Sequence, residues 1–179
     1  MSSTTVVLMG VAGSGKSTVM AALAERLGWA TAEGDDFHSP ENVAKMRAGI
    51  PLSDEDRGPW LAALAAWIGE REAAPGGADG EAGENAIVTC SALKRSYRDM
   101  LREGHESVVF MHLEVSVVEL EGRLHGRHGH YMPPALLASQ LETLEPLEAD
   151  EPGWSVRAEG GTERGVAAIV ALLEPRERR

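Results

Sequence analysis

Cysteine is nearly missing from this chain. Cys90 is the only one in 179 residues, which excludes an internal disulfide framework and fits a reducing compartment. Lysine is almost as scarce: Lys16, Lys45 and Lys94 stand against 14 arginines. In a chain that so prefers the planar guanidinium, each lysine hints at a place for a compact ammonium. Positive charge is short overall, with a net charge of -11, and no broad basic surface is left for a nucleic-acid backbone. Any bound anion must therefore meet a local basic cluster. Long apolar runs are also missing, and nothing approaches the length of a membrane span. Met1 to Thr5 carries no basic residue and Val6 to Met9 is too short for a signal sequence, so a soluble, cytoplasmic protein is expected. The chain is long enough for one core and short for two, which predicts a single domain over residues 1–179.

Glycine, by contrast, is concentrated where it matters. Gly10-Val11-Ala12-Gly13-Ser14-Gly15-Lys16-Ser17-Thr18 has the full G-x-x-x-x-G-K-[ST] spacing and follows the apolar run Val6 to Met9. The expected order is strand, phosphate cradle, helix. Three glycines let the backbone turn tightly and aim N–H groups at one point, at the positive end of the following helix. Lys16 would reach the β and γ phosphates of a nucleotide, and the Ser17 hydroxyl would hold Mg²⁺.

A second strand over 29–33 should end in Gly34-Asp35-Asp36. Ligands of open α/β sheets gather beyond the carboxyl ends of strands, so both acids are candidates for Mg²⁺ or for an acceptor hydroxyl, or are plain turn acids. Ser39-Pro40 reads as an N-cap and first-turn proline of a helix that Gly49 ends. Pro59 should open the next helix, with Trp60, Leu61, Leu64, Trp67 and Ile68 on one face. Asp54, Asp56 and Arg57 then precede it, either as ligand contacts or as caps with a surface ion pair. Residues 74–85, rich in Ala, Gly, Pro and acid, read as a flexible connection.

A third strand, Ala86 to Thr89, should lead through Cys90 and Ser91 into a helix with Tyr97, Met100 and Leu101 inside and Arg95, Arg98 and Arg102 outside. Lys94, Arg95 and Arg98 fall within about one helical turn, which makes either an anion pocket or a solvated basic face. Ser107 to Leu113 is the clearest strand, and Ser116 with Glu119 spells a capping box. The helix after it carries Arg123 and Arg127 at i, i+4 spacing, and the Gly/Pro-rich residues 128–134 should form a loop. Paired arginines beside such a hinge suit a lid, over about 123–143, that closes on a transferring phosphoryl group. His125, His128 and His130 lack the companion ligands of a zinc site. Residues 154–157 predict a last edge strand and 162–173 a last helix, followed by a loose tail. Five short strands alternating with helices predict an α/β fold with a mostly parallel sheet covered on both faces.

Taken together, these motifs resemble the gluconate kinases (gluconokinases), small P-loop kinases. The resemblance runs from about Val6 to Glu151. It rests on Gly10 to Thr18, on Gly34-Asp35 with His38, Asn42, Lys45 and Met46, and on Gly49 to Leu61. It continues through Cys90 to Lys94 with Tyr97-Arg98, Arg123 and Arg127 before Gly129-His130, and Gln140 to Thr143. The resemblance implies ATP-dependent phosphorylation of the 6-hydroxyl of D-gluconate, and a homodimer. Within it, Gly10, Ala12, Gly13, Ser14, Gly15, Lys16, Ser17 and Thr18 would hold ATP, with Ser17 on Mg²⁺. Asp35 would accept the hydroxyl proton or hold a Mg²⁺-bound water. Arg123 and Arg127 would close on the γ-phosphoryl, and His38, Arg57, Lys94 and Arg98 would contact gluconate. Shikimate or adenylylsulfate is the rival acceptor within the same architecture. A nucleotide switch is disfavoured because no guanine-reading N-K-x-D sequence occurs.

Overall fold

The computed structural model describes residues 3–75, 83–125, 134–157 and 161–177. Its centre is a five-stranded sheet of β1 (Thr5–Met9), β2 (Ala30–Glu33), β3 (Ala86–Thr89), β4 (Val108–Glu114) and β5 (Gly153–Arg157). The strand order is β2-β3-β1-β4-β5, and all four pairings are parallel. β1, at the centre, alternates its burial. Val6 and Leu8 pack on α1 (Lys16–Leu27) and α7 (Thr162–Glu177), while Val7 and Met9 face the other side. There α3 (Asp54–Glu72), α4 (Arg95–Arg102), α5 (Val117–His125) and α6 (Pro134–Thr143) contribute Trp60, Leu64, Leu101, Leu120 and Leu137. Both faces of the sheet are thus covered by helices, which is why its three inner strands, β3, β1 and β4, are almost continuously buried, while the edge strands β2 and β5 carry polar residues.

Local signals explain most boundaries. Gly28 closes α1 in the left-handed region at φ 70. Ser39 Oγ accepts from Asn42 N–H at the start of α2 (Pro40–Arg47). Two boundaries and one burial pattern differ from expectation. α3 starts at Asp54 and not at Pro59, because Ser53 and Asp56 form a reciprocal capping box that nucleates the helix five residues earlier. In α4, Met100 is exposed and Arg98 buried, the reverse of the pattern predicted from hydrophobicity. α7 runs on to Glu177, through the expected tail.

The base of the 74–85 connection is closed by Gly83 N–H donating to Ala74 O at 2.9 Å and by an Arg71–Glu84 ion pair at 3.1 Å. Residues 76–82 between them lie outside the described residues, as do 126–133 between α5 and α6, where Arg127 and the expected lid loop fall. Among the described residues no helix is long and apolar enough to cross a membrane.

Candidate active site

The loop between β1 and α1 has the backbone that its glycines allow. Gly10, Gly13 and Gly15 all lie at positive φ (137, 80 and 94), where an L side chain is strained. A Cβ on Gly10 would meet both Leu113 O and Ser14 Oγ at 3.1 Å. No side chain caps the start of α1 and no acid lies in its first turn, so the helix presents open N–H groups and the positive end of its dipole. Lys16 Nζ donates to Gly10 O at 2.9 Å and Val11 O at 3.1 Å, which holds its charge over the loop. Arg123, from α5, reaches the same loop. Its Nη1 donates to Gly13 O and Ser14 O at 3.3 and 3.1 Å, and its Nη2 pairs with Glu119 at 2.6 Å.

A cavity of about 380 Å³ opens beside this loop. Ala12, Gly13, Gly15, Lys16 and Ser17 form its P-loop wall. Gly10, Ser14 and Thr18 do not line it: Gly10 and the buried Ser14 shape the turn, and Thr18 faces solvent. The opposite wall begins at Asp35, in the 3-10 turn Gly34–Phe37 that follows β2. That turn is fixed by Gly34. A Cβ there would lie 2.0 Å from Thr89 O, so the turn packs against β3 with no room for a side chain. Gly34 N–H donates to Thr89 Oγ1 at 3.0 Å, and Gly34 O accepts from Trp60 Nε1 at 2.7 Å. Trp60 in turn stacks on His38, with centroids 4.2 Å apart and planes 17° off parallel.

His38 and Arg57 complete this wall together with Met46, Arg47 and Leu52. Burial lowers the pKa of His38, Asp35 opposes that shift and Arg57 adds to it, so the ring is neutral at pH 7. His38 Nδ1 is buried and has no hydrogen-bond partner among the described residues. Arg57 lies over the Tyr97 ring at 5.4 Å and donates to Leu52 O at 3.4 Å. Cys90 forms the floor. Burial pushes its thiol up to about 12, which makes it inert as a nucleophile.

The expected anion pocket at Lys94, Arg95 and Arg98 does not form, because each base has its own carboxylate. Lys94 Nζ binds both oxygens of Asp54 at 2.8 and 2.9 Å, and Tyr97 OH donates to the same carboxylate. Those bonds, Lys94 first, hold the Asp54 carboxyl below its usual range. Arg95 is taken by Asp150, Asp99 and Glu148. Arg98 is fully buried against Glu151 and is no ligand contact; it and Lys94 are absent from the cavity wall. Asp56 likewise caps α3 and pairs with Lys45 at 2.6 Å, and that pairing holds its carboxyl at about 2. Of the 54–57 group only Arg57 faces the cavity.

Residues given no site role from the sequence also line the site: Glu33, Arg47, and from α6 Leu136, Ser139, Gln140 and Thr143, of which Gln140 and Thr143 entered only through the family resemblance. The α6 residues follow the i, i+3, i+4, i+7 spacing of one helix face, a pattern indistinguishable in sequence from a core face.

Residues 6–147 match the family described as AAA domain. The gluconokinase of Gluconobacter oxydans (strain 621H) is 49% identical over 154 residues, covering 86% of this chain and 82% of that protein. The chain belongs to the gluconokinase family. The thermoresistant gluconokinase of Escherichia coli (strain K12) is 42% identical over 147 residues, 81% of this chain and 78% of its own. Among solved structures, a gluconokinase from Sinorhizobium meliloti 1021 aligns with a TM-score of 0.82 at 41% identity, covering 98% of this chain and 97% of that one. An unliganded sugar kinase from Janibacter sp. HTCC2649 aligns at 0.85 and 48%, covering 96% and 95%. A shikimate kinase from Aquifex aeolicus shares only the fold, with 15% identity over 97% of this chain and 98% of its own and a TM-score of 0.60. The fold is that of an ATP-using P-loop kinase, and the gluconokinase relatives span nearly all of it.

Proposed function

We propose that this protein transfers the γ-phosphoryl group of ATP to the 6-hydroxyl of D-gluconate, giving 6-phospho-D-gluconate and ADP. The observation that carries this reading is the composition of one cavity. Lys16 and Ser17 of the phosphate loop share it with Asp35, His38 and Arg57, the groups suited to a polyhydroxy acid. Its size, about 380 Å³, falls in the range of roughly 300–1,000 Å³ usual for small-molecule sites.

Phosphoryl transfer passes through a loose transition state, so the protein's task is to position reactants and neutralise oxygens. The bond from the acceptor oxygen to the γ-phosphorus forms as the bond to the bridging oxygen of ADP breaks. Lys16 and the open N–H groups of α1 hold the β and γ phosphates, and Arg123 stands ready to neutralise the moving group. Arg127, outside the described residues, is assigned the same task from its i, i+4 spacing to Arg123 and from the family resemblance. Asp35 orients the acceptor hydroxyl and takes its proton. His38, neutral, offers its ring edge to a sugar hydroxyl, and Arg57 pairs with the carboxylate as a planar fork.

The residues present also fit Mg²⁺. That ion keeps several waters and takes only one or two protein oxygens beside substrate phosphates, and the Ser17 hydroxyl lines the cavity with the Asp35 and Glu33 carboxylates. When bound, the ion would draw charge from the phosphate oxygens and so ease transfer of the phosphoryl group. We place the reaction in the cytoplasm, where ATP is made, and expect a homodimer from the family resemblance.

A coupled ADP-release assay across gluconate, shikimate, adenylylsulfate and nucleoside monophosphates tests this. Gluconate alone should stimulate release; stimulation by another acceptor would displace the reading. Asp35→Asn should lower kcat by roughly a hundredfold, the scale of a positioned proton acceptor, with KM for gluconate little changed. A raised KM at unchanged kcat would make Asp35 a binding residue.

A further inference from the structure

The N–H groups of a phosphate loop are its working parts, yet one of them is already taken. Ala12 N–H donates to the side-chain oxygen Oε1 of Gln140 at 2.7 Å, across 128 residues of sequence. Ala12 and Gln140 both line the cavity, and so do Lys16 and Asp35. Because the backbone group can only donate, the atom facing it must be the amide oxygen. This fixes which way the side-chain amide is turned. The two N–H bonds of Nε2 are then the donors that Gln140 has left to offer. They have no protein acceptor among the described residues, and Gln140 is only half-buried.

Resting on the reading above, we propose that Gln140 extends the phosphate cradle. It satisfies Ala12 N–H and in exchange presents its own amide N–H groups to the terminal phosphoryl group. The position supports this in three ways. Ala12 lies one residue before Gly13, on the stretch between Gly10 and Gly15 that curls around the phosphates. Gln140 reaches the loop from α6, whose Leu136, Ser139 and Thr143 line the same cavity as Asp35, so its donors approach the loop from the cavity. A neutral amide also donates there without competing with Lys16 and Arg123 for a counter-charge.

α6 is firmly held for this task. Glu145 N–H donates to Leu93 O at 2.7 Å, and Arg98 donates to Glu145 O and Pro146 O at 3.1 and 3.2 Å, which anchors the segment just past the end of the helix. Leu137, on the same helix, is buried in the core beneath the sheet. Thr143 Oγ1 donates back to Ser139 O at 2.7 Å, inside the helix. Gln140 is therefore a fixed arm and not a surface residue that happens to touch the loop.

The test is nucleotide affinity by calorimetry, with Mg²⁺ present, using ADP and the non-hydrolysable analogue AMP-PNP on wild-type protein, Gln140→Leu and Gln140→Glu. Leucine removes both functions of the amide. Glutamate keeps an acceptor for Ala12 N–H but adds a negative charge beside the phosphates, so it checks that the loop holds its shape, while the uncharged leucine variant carries the selectivity test. Both variants should weaken AMP-PNP by roughly ten- to a hundredfold, the scale of a hydrogen bond to a charged group, while ADP binding changes less than about threefold. A merely structural Gln140 would hold the loop for both nucleotides alike. An unchanged ratio of the two affinities in Gln140→Leu therefore overturns the proposal, whatever the charged variant does. The underlying kinase reading fails separately, if wild-type protein releases no ADP in response to gluconate.

Discussion

Replacing Lys16 with alanine abolishes turnover, with kcat falling by roughly a thousandfold or more in the ADP-release assay. The argument is electrostatic. Of the three lysines only Lys16 lines the cavity, since Lys45 and Lys94 are committed to Asp56 and Asp54. Its Nζ stands over the loop, donating to Gly10 O and Val11 O, and terminal phosphates entering the cradle would bring charged oxygens within its reach. Lys16→Arg should rescue little, because a planar, longer guanidinium cannot sit as a point charge between the β and γ oxygens. The melting temperature should move by no more than about 3 °C, since the lost bonds are partly exposed. Near-normal kcat in Lys16→Ala would remove the phosphate loop from the mechanism.

Much of this was legible in the sequence because it rests on local chemistry. The phosphate loop is a run of nine residues whose glycines have no alternative use, and the Ser39-Pro40 cap acts within three residues. The inner strands are short apolar runs bounded by turn formers, and the alternation of five short strands with helices pointed to a mostly parallel sheet. What sequence could not show is pairing over long distances. Arg98 reads as an exposed helix residue because arginine is almost never buried without a partner, and the partner, Glu151, is 53 residues away. Gln140 sits on an amphipathic face, and nothing nearby signals that it reaches back to Ala12. The start of α3 was misplaced for a different reason. Proline at a first turn and a serine–aspartate capping box are both valid starts, and the reciprocal hydrogen bonds of Ser53 and Asp56 outweighed the proline signal.

The acceptor wall shows how the local and the distant parts depend on each other. Gly34 is glycine because β3 allows no Cβ, and its carbonyl fixes the Trp60 indole. Trp60 is the plate on which His38 stacks, and it is carried by the same helix as Arg57. Asp35, His38 and Arg57 thus share one support. A change at Gly34 would move all three against the phosphate loop without touching any of them.

Arg98→Ala should be the most destabilising single change outside the phosphate loop, lowering the melting temperature by roughly 10 °C in calorimetry. The guanidinium is wholly buried, bonds Glu151 through Nε at 2.5 Å and Nη2 at 2.9 Å, and holds the carbonyls of Ala92, Leu93, Glu145 and Pro146. Truncation takes the guanidinium from a buried carboxylate, which keeps the Glu148 N–H, and from four carbonyls, of which Leu93 O keeps the Glu145 N–H, a loss of roughly 3–5 kcal/mol. Replacing both partners, as Arg98→Met with Glu151→Leu, should recover much of the pair's share, because no charge is then stranded. The pair also sets an acid limit. Burial pushes the Glu151 carboxyl up, but Arg98 and the Glu148 N–H outweigh it and hold the group below its ordinary 4.5. A folded-state pKa below the unfolded one contributes stability that is fully present above about pH 4.5 and is lost as pH falls through the folded value. The wild-type melting temperature should therefore be flat near neutrality and drop below that point, and the double variant should drop less steeply. An equally steep acid limb in the double variant would mean that the other held-down carboxylates, Asp54, Asp56 and Asp150, set the limit.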